Sequence, residues 1–357
     1  MIPNQWYVIL ASDEVKKNRV IGVRRMGENL VAWRDSSGVV TVAKDRCPHR
    51  GIALSKGKML HDHLQCPFHG LEFDSSGRCV YIPANGKAAA VPDHFRAAGY
   101  PVAEQNGFIY LWYTVDPENS RSRSLSNLPP VPWFDNLGGD FPSGGMTDHW
   151  KAHYSRGIEN QLDVVHVPFI HRTTIGRGIG PVVNGPYVEV SGNSISFWPS
   201  NEQDKGQQPI PVSKMTKPER VSTYLTFLFP NLWQNHIMDS LRIVVAFVPV
   251  DDNNTIFYLR MYQKMVPWPV LKEIFFFFLK QFNRIVLHQD RRVVETHQPQ
   301  ATRLKMDENL IPGDYPVILY RRMRENLKAS NADNADIAVN AGKALNEGDA
   351  GISAPPL

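Results

Sequence analysis

The chain has 357 residues, 42% of them hydrophobic, enough to bury two cores, and its length suggests about two domains. Three cysteines make no disulfide framework at this size, which sets aside the small stapled secreted folds. A net charge of +4, with Lys16-Lys17, Arg24-Arg25 and Arg321-Arg322 dispersed and no basic run interleaved with aromatics, argues against a nucleic-acid surface; these pairs read mostly as solvated surface, some as docking points for an acidic partner.

In chain order, the amino terminus carries no basic region followed by an apolar run, so no secretory signal is visible and a cytoplasmic protein is expected. From Trp6 to Tyr113, short alternating segments separated by Gly and Asn turns predict an all-β domain over residues 1–118. Within it stand Cys47-Pro-His49 and, after sixteen intervening residues, Cys66-Pro-Phe-His69. Two thiolates and two imidazoles suit a metal centre, either zinc or a [2Fe–2S] cluster in which histidines replace two cysteines on one iron. One Cys and one His in each short cluster departs from zinc fingers, which pair like with like. Pro48 and Pro67 stiffen the two loops, and Gly51 and Gly70 let backbone N–H groups come close to a sulfide. Cys79 is left over and is expected to be a buried or semi-buried free thiol.

On these motifs, residues 4 to 115 resemble the Rieske iron–sulfur family. The resemblance implies that Cys47 and Cys66 hold an inner iron of the cluster, and that His49 and His69 hold the outer iron facing the electron acceptor.

A Pro- and Ser-rich stretch from about Asp116 to Pro132 predicts a linker, set at 119–132. Beyond it, Glu159-Asn160-Gln-Leu-Asp163-Val-Val-His166-Val-Pro-Phe-Ile-His171 combines acids and histidines at fixed intervals. On a helix, Asn160, Asp163 and His166 would share one face, and Pro168 would disturb the helix and bring His171 round to the same point. Two imidazoles on one metal would leave three positions to fill; a single histidine here would read as a core residue. Strands such as 188–197 and 241–248, followed by a helical region from about Pro269 to Lys328, predict an α+β domain over 133–328. The run Ile274-Phe-Phe-Phe-Phe-Leu279 reads first as core packing of a long helix, and second as a cavity wall or membrane-facing patch; it is too short to span a bilayer, and no transmembrane segment is expected. Residues 329–357, rich in Ala, Asn, Asp and Gly, predict a disordered tail.

The spacing D-x-x-H-x-x-x-x-H from Asp163 to His171 resembles the mononuclear iron site of Rieske non-haem iron oxygenases, and Asn160 fits the monooxygenase and demethylase branch. The resemblance implies a helix-grip-like catalytic domain, one [2Fe–2S] cluster and one Fe(II) held by His166, His171 and a downstream carboxylate. That carboxylate is expected at Asp290, with Glu295 as the alternative, although an acid beside Arg291 and Arg292 can also be a solvated ion pair. Asp163 would bridge electron transfer across a subunit boundary in a homotrimer, or would orient His166 within one chain. With no Gly-x-Gly-x-x-Gly after a strand, NAD(P)H would act only through a separate ferredoxin or flavin reductase. The expected activity is a terminal oxygenase that hydroxylates or oxidatively demethylates an apolar, aromatic or natural-product-like small molecule. A cis-dioxygenase would use the same centres, and a Rieske electron carrier would lack the second iron. Phe169, Ile170, Leu232, Trp233, Asn235, His236 and Phe282 are the candidates for the substrate pocket.

Overall fold

The computed structural model describes residues 1–114, 125–139, 141–219 and 223–330. The expected linker over 119–124 and the expected tail beyond 330 lie outside these residues.

Strands β1 (Gln5–Ala11), β2 (Arg19–Arg25), β3 (Glu28–Arg34), β4 (Val40–Lys44), β5 (Lys58–Leu60), β6 (His63–Gln65), β7 (Glu72–Phe73), β8 (Cys79–Tyr81), β9 (Val102–Gln105) and β10 (Phe108–Tyr113) build the N-terminal half. They pair as three antiparallel sheets, β1-β10-β9, β2-β3-β4 and β5-β6-β7-β8. The C-terminal half is one antiparallel sheet of seven strands. Its members are β11 (Ser143–Trp150), β12 (Val182–Ser191), β13 (Ser194–Glu202), β14 (Tyr224–Leu228), β15 (Leu232–Met238), β16 (Leu241–Asp251) and β17 (Asn254–Gln263), in the order β11-β17-β16-β15-β14-β13-β12. Helices α1 (Tyr154–Leu162), the short α2 (Val167–Ile170), α3 (Pro269–Val294) and α4 (315–330) complete it.

Strand alternation assigns the two faces of this sheet to different neighbours. Val245, Phe247, Phe257 and Leu259 join Ile158, Phe276, Leu287 and Tyr320 in one core, beneath the helices. The intervening Val244, Ala246, Ile256 and Tyr258 join Trp6, Val8, Tyr110 and Trp112 in another, so the N-terminal domain covers the opposite face. A sheet buried on both faces explains why β16 reads as an almost unbroken apolar run. Gly157 lets α1 lie close on the sheet, since a Cβ there would sit 2.5 Å from the Phe257 ring.

Polar clasps fix the two halves together. Asn231 is fully buried, and its side chain accepts from Val8 N (3.2 Å) and donates to Val8 O (3.0 Å) and Phe247 O (3.1 Å), holding β1 where its register slips. Arg25 donates to Ile9 O and to the Tyr258 hydroxyl. The described part of the expected linker is packed rather than free: Trp6 Nε1 donates to Pro129 O, and Leu128 and Val131 pack on the interdomain core, followed just beyond it by Trp133, Phe134 and Leu137.

Two expectations are corrected. The helical region is divided, with mostly irregular chain, carrying Pro299 and Pro312, between α3 and α4. The phenylalanine run is not core throughout: Phe276 is buried, but Ile274, Phe277 and Phe278 face outward, because only one side of α3 meets the sheet.

Candidate metal centres and cavity

The two cysteine loops are near copies of each other. Cys47 N donates to Ile52 O and Gly51 N to Cys47 O; Cys66 N donates to Leu71 O and Gly70 N to Cys66 O. In both, the glycine four residues after the cysteine closes the turn in the left-handed region, at φ +75° for Gly51 and +73° for Gly70. Cys47 and Cys66 are buried side by side, and burial together with the neighbouring thiol pushes Cys47 up to about 11. His49 and His69 stand outside them with ring centroids 4.7 Å apart, exposed along with Pro48, Pro67 and Phe68. Two sulfurs within and two imidazoles without suit the two irons of a cluster. The apolar core beneath the loops contains no residue beyond Ala97, so the tip belongs to the N-terminal domain alone. Cys79 is buried in that core and free.

The second centre is assembled across the chain. Helix α1 ends at Leu162, and Asp163 caps it in an extended conformation, φ −82° and ψ 124°. Its Oδ1 accepts from Val165 N at 2.6 Å, which turns the chain so that His166 caps a new helix, α2, with Pro168 in its first turn. The single helix expected through His166 is therefore broken at Asp163. His171 follows α2, and Asp290 comes from the last turns of α3.

Ligand atoms of His166, His171 and Asp290 all lie within 4.8 Å of one another, and among the described residues no other His, Cys or acidic side chains gather around one point in this way. Asp290 Oδ1 stands 2.9 Å from His171 Nε2 and 3.5 Å from His166 Nε2, and both His171 and Asp290 are almost fully buried. Gln289 Oε1, 2.8 Å from His171 Nδ1, fixes the tautomer with the proton on Nδ1 and turns the Nε2 lone pair toward the carboxylate. Three lone pairs thus converge in a buried place, an arrangement that requires a cation or a proton. Burial opposes protonation of His171, yet Asp290 and Gln289 outweigh it and raise its pKa above the ordinary value. Two imidazoles and one carboxylate on one side of a buried point are the donor set of a non-haem iron facial triad. Glu295, the alternative, caps α3 and accepts from Lys151 N at 2.8 Å instead. Gln289 was not singled out in the sequence; its place beside Asp290 was the available signal. Thr174 Oγ1 donates to the same Gln289 oxygen at 2.7 Å.

Beside these residues lies a cavity of about 390 Å³. Val245, Ile243, Leu259, Leu279 and Leu287 give it an apolar wall, while Asn160, Asn235 and Asn283 add polar groups, and among the described residues no Lys or Arg lines it. Of the expected pocket residues, Trp233, Asn235 and Phe282 line it. Leu232 and His236 do not, because they alternate to the other face of β15; Leu232 enters the interdomain core and His236 stacks on Tyr224. Phe169 and Ile170, on α2 between the two histidines, also lie outside it, and Phe169 is exposed. Trp233 Nε1, Asn235 Oδ1 and Asn160 Nδ2 are buried atoms without a partner among the described residues.

On the other side of Asp163 opens a polar hollow lined by Arg156, Glu159, Asn160, Glu308, Asp314 and Arg321 among others. Arg321 grips Glu159 at 2.8 and 2.7 Å, and Arg156 and Arg321 both reach Glu308, tying α1 to α4. His166 Nδ1 is 3.4 Å from Asp163 Oδ2 but not aligned as a hydrogen bond, so Asp163 stands between the metal triad and the hollow.

Comparison with known proteins follows this division. A model of the Rieske [2Fe-2S] domain matches residues 5–95, and one of the vanillate O-demethylase oxygenase C-terminal domain matches residues 150–330. The chain belongs to the Rieske non-haem iron oxygenases. Its catalytic half is of the vanillate O-demethylase oxygenase type, and the cofactors of such a chain are a [2Fe–2S] cluster and a mononuclear iron. It is 28% identical over 352 residues to chlorophyllide a oxygenase, chloroplastic, from Chlamydomonas reinhardtii, covering 95% of this chain and 50% of that protein. It is 34% identical over 175 residues to 4beta-methylsterol monooxygenase from Methylococcus capsulatus, 48% of this chain and 45% of the relative. The crystal structure of dicamba monooxygenase bound to dicamba superposes with a TM-score of 0.70 at 19% identity, over 93% of this chain and 99% of the other, which establishes the shared fold. The chain spans about half the length of these curated relatives.

Proposed function

We propose that the chain is a terminal oxygenase that hydroxylates, or oxidatively demethylates, an apolar small molecule in the α3 cavity. The observation that carries the proposal is the convergence of His166, His171 and Asp290 beside a mostly apolar cavity, in a chain that also holds the paired cysteine–histidine loops. An electron carrier alone has no use for either.

His166 Nε2, His171 Nε2 and Asp290 would hold the mononuclear iron, and Cys47, Cys66, His49 and His69 the cluster. When bound, the cluster supplies electrons one at a time and the iron activates dioxygen. The chain's own groups do the rest. The apolar wall would exclude water and position the substrate. Trp233 Nε1 and Asn235 Oδ1, a donor and an acceptor on one face of β15, would orient a polar group on the substrate.

Asp163 would carry the link between centres, accepting from His166 Nδ1 on one side and from a ring N–H of His49 or His69 on the other. The exposed tip and the hollow are separate surfaces of one chain, which favours a tip seated in the hollow of a neighbouring copy, in a homotrimer. Electrons would come from a ferredoxin or flavin reductase, so NAD(P)H is consumed by the partner. Among the described residues no helix is long and apolar enough to cross a membrane.

The test is iron and acid-labile sulfide per chain on anaerobically purified protein, with a spin-resonance spectrum after reduction. About three irons to two sulfides is expected. A chain that keeps about two irons to two sulfides after reconstitution with ferrous iron would be an electron carrier.

A further inference from the structure

Helix α3 is apolar on two sides. Its inner side, with Phe276 and Leu287, packs on the sheet. Its outer side carries Val270, Leu271, Ile274, Phe277, Phe278 and Ile285, each between 48% and 73% exposed. Spacings of three and four residues align these six in one stripe. A single exposed apolar side chain needs no explanation, but a stripe of this length marks a surface that is covered in use.

Charge and continuity indicate what covers it. Along one edge of the stripe run Lys280 and Arg284; Glu273, the acidic residue between 265 and 288, lies on the same edge two turns before Lys280 and stands 3.8 Å from Lys272. Neither Lys280 nor Arg284 has a carboxylate within ion-pair distance among the described residues; Arg284 rests on Gln281. An apolar stripe with an unneutralised basic edge matches an anionic lipid interface. At its other edge the stripe runs into the cavity mouth. Ile175, Ile179 and Phe282 line the cavity and are 47%, 36% and 42% exposed, so apolar side chains reach the surface at its mouth, beside Thr223.

A second copy of the chain is the weaker candidate. The hollow beside Asp163 is lined by His297, past the C-terminal end of α3. Phe278 precedes Asp290 by twelve residues, about 18 Å of helix, in the opposite direction. A neighbour seated in the hollow therefore approaches the other end of α3.

We infer that the outer stripe of α3 docks the enzyme on the surface of an anionic lipid bilayer, lying in the interface without crossing it. The cavity mouth then opens toward the acyl chains, and a bilayer-dissolved substrate enters without crossing water; this consequence rests on the oxygenase reading above. The test is cosedimentation of the iron- and sulfide-loaded full chain with vesicles of phosphatidylcholine, alone or mixed with phosphatidylglycerol. Binding to the mixed vesicles is expected, weakened at least about tenfold by Phe277→Ser with Phe278→Ser, and weakened by added salt or by Lys280→Glu with Arg284→Glu. Iron, sulfide and oligomeric mass should be unchanged in these surface variants. Wild-type protein that stays in the supernatant with both vesicles overturns the docking, as does undiminished binding by the serine pair. A changed oligomeric mass in the serine pair would make the stripe a contact between copies and also overturn it. Vesicle binding by a chain that never reaches its third iron supports docking while removing the oxygenase reading.

Discussion

The two metal regions are built in opposite ways. The cysteine–histidine tip is local and exposed: two copies of one short loop, Cys47 to Gly51 and Cys66 to Gly70, closed by the same pair of backbone hydrogen bonds. The triad is non-local and buried: two histidines around α2 meet an aspartate from the far end of the catalytic domain, behind a cavity. A centre that exchanges electrons with other proteins must be reachable, and a centre that handles dioxygen gains from being dry.

Substitutions can separate the two. The largest effect is expected from Cys66→Ala, which removes a proposed cluster ligand and should abolish labile sulfide and the visible absorbance while mononuclear iron still binds. Asp290→Ala should do the reverse, leaving sulfide and cluster iron intact and emptying the triad; retained mononuclear iron would move the third ligand to Glu295 or elsewhere. Asp163→Asn should keep every metal yet lower reductase-dependent oxygen uptake by about 100-fold, and normal uptake would remove the bridge. Gln289→Leu frees His171 Nδ1 and should weaken ferrous iron binding about tenfold, read by metal titration, with the cluster spectrum unmoved.

The smallest effect concerns the scaffold behind the triad. Burial raises the Glu308 pKa, but Arg321 and Arg156 outweigh it and hold the carboxyl below its ordinary 4.5. A depressed pKa contributes stability above the ordinary value and loses it as pH falls through the depressed one. The melting temperature should therefore drop as the pH is taken below about 4.5, and Glu308→Gln should flatten that part of the profile.

The same contrast governs what could be read from the sequence. The tip was legible because each loop carries its ligands, its proline and its turn glycine within a few residues. The histidines of the triad were legible for the same reason, but Asp290 came from a family resemblance, since nothing local distinguishes it from Glu295. The pocket was half legible. Leu232 and Trp233 are neighbours of similar character, yet one enters the interdomain core and the other the cavity, because β15 is buried on both faces and offers no polar alternation to tell them apart. The Phe run misled for a related reason: hydrophobicity identifies a surface that avoids water without naming what covers it.

The clasp of Asn231 on Val8 has a kinetic consequence. With the N-terminal domain locked to the sheet by buried hydrogen bonds and a shared core, a swinging domain cannot bring a chain's tip to its own Asp163. If electrons pass through Asp163 as proposed, turnover would depend on encounter between copies, and activity per chain should fall on dilution below the concentration at which the copies stay together, with metal content unchanged.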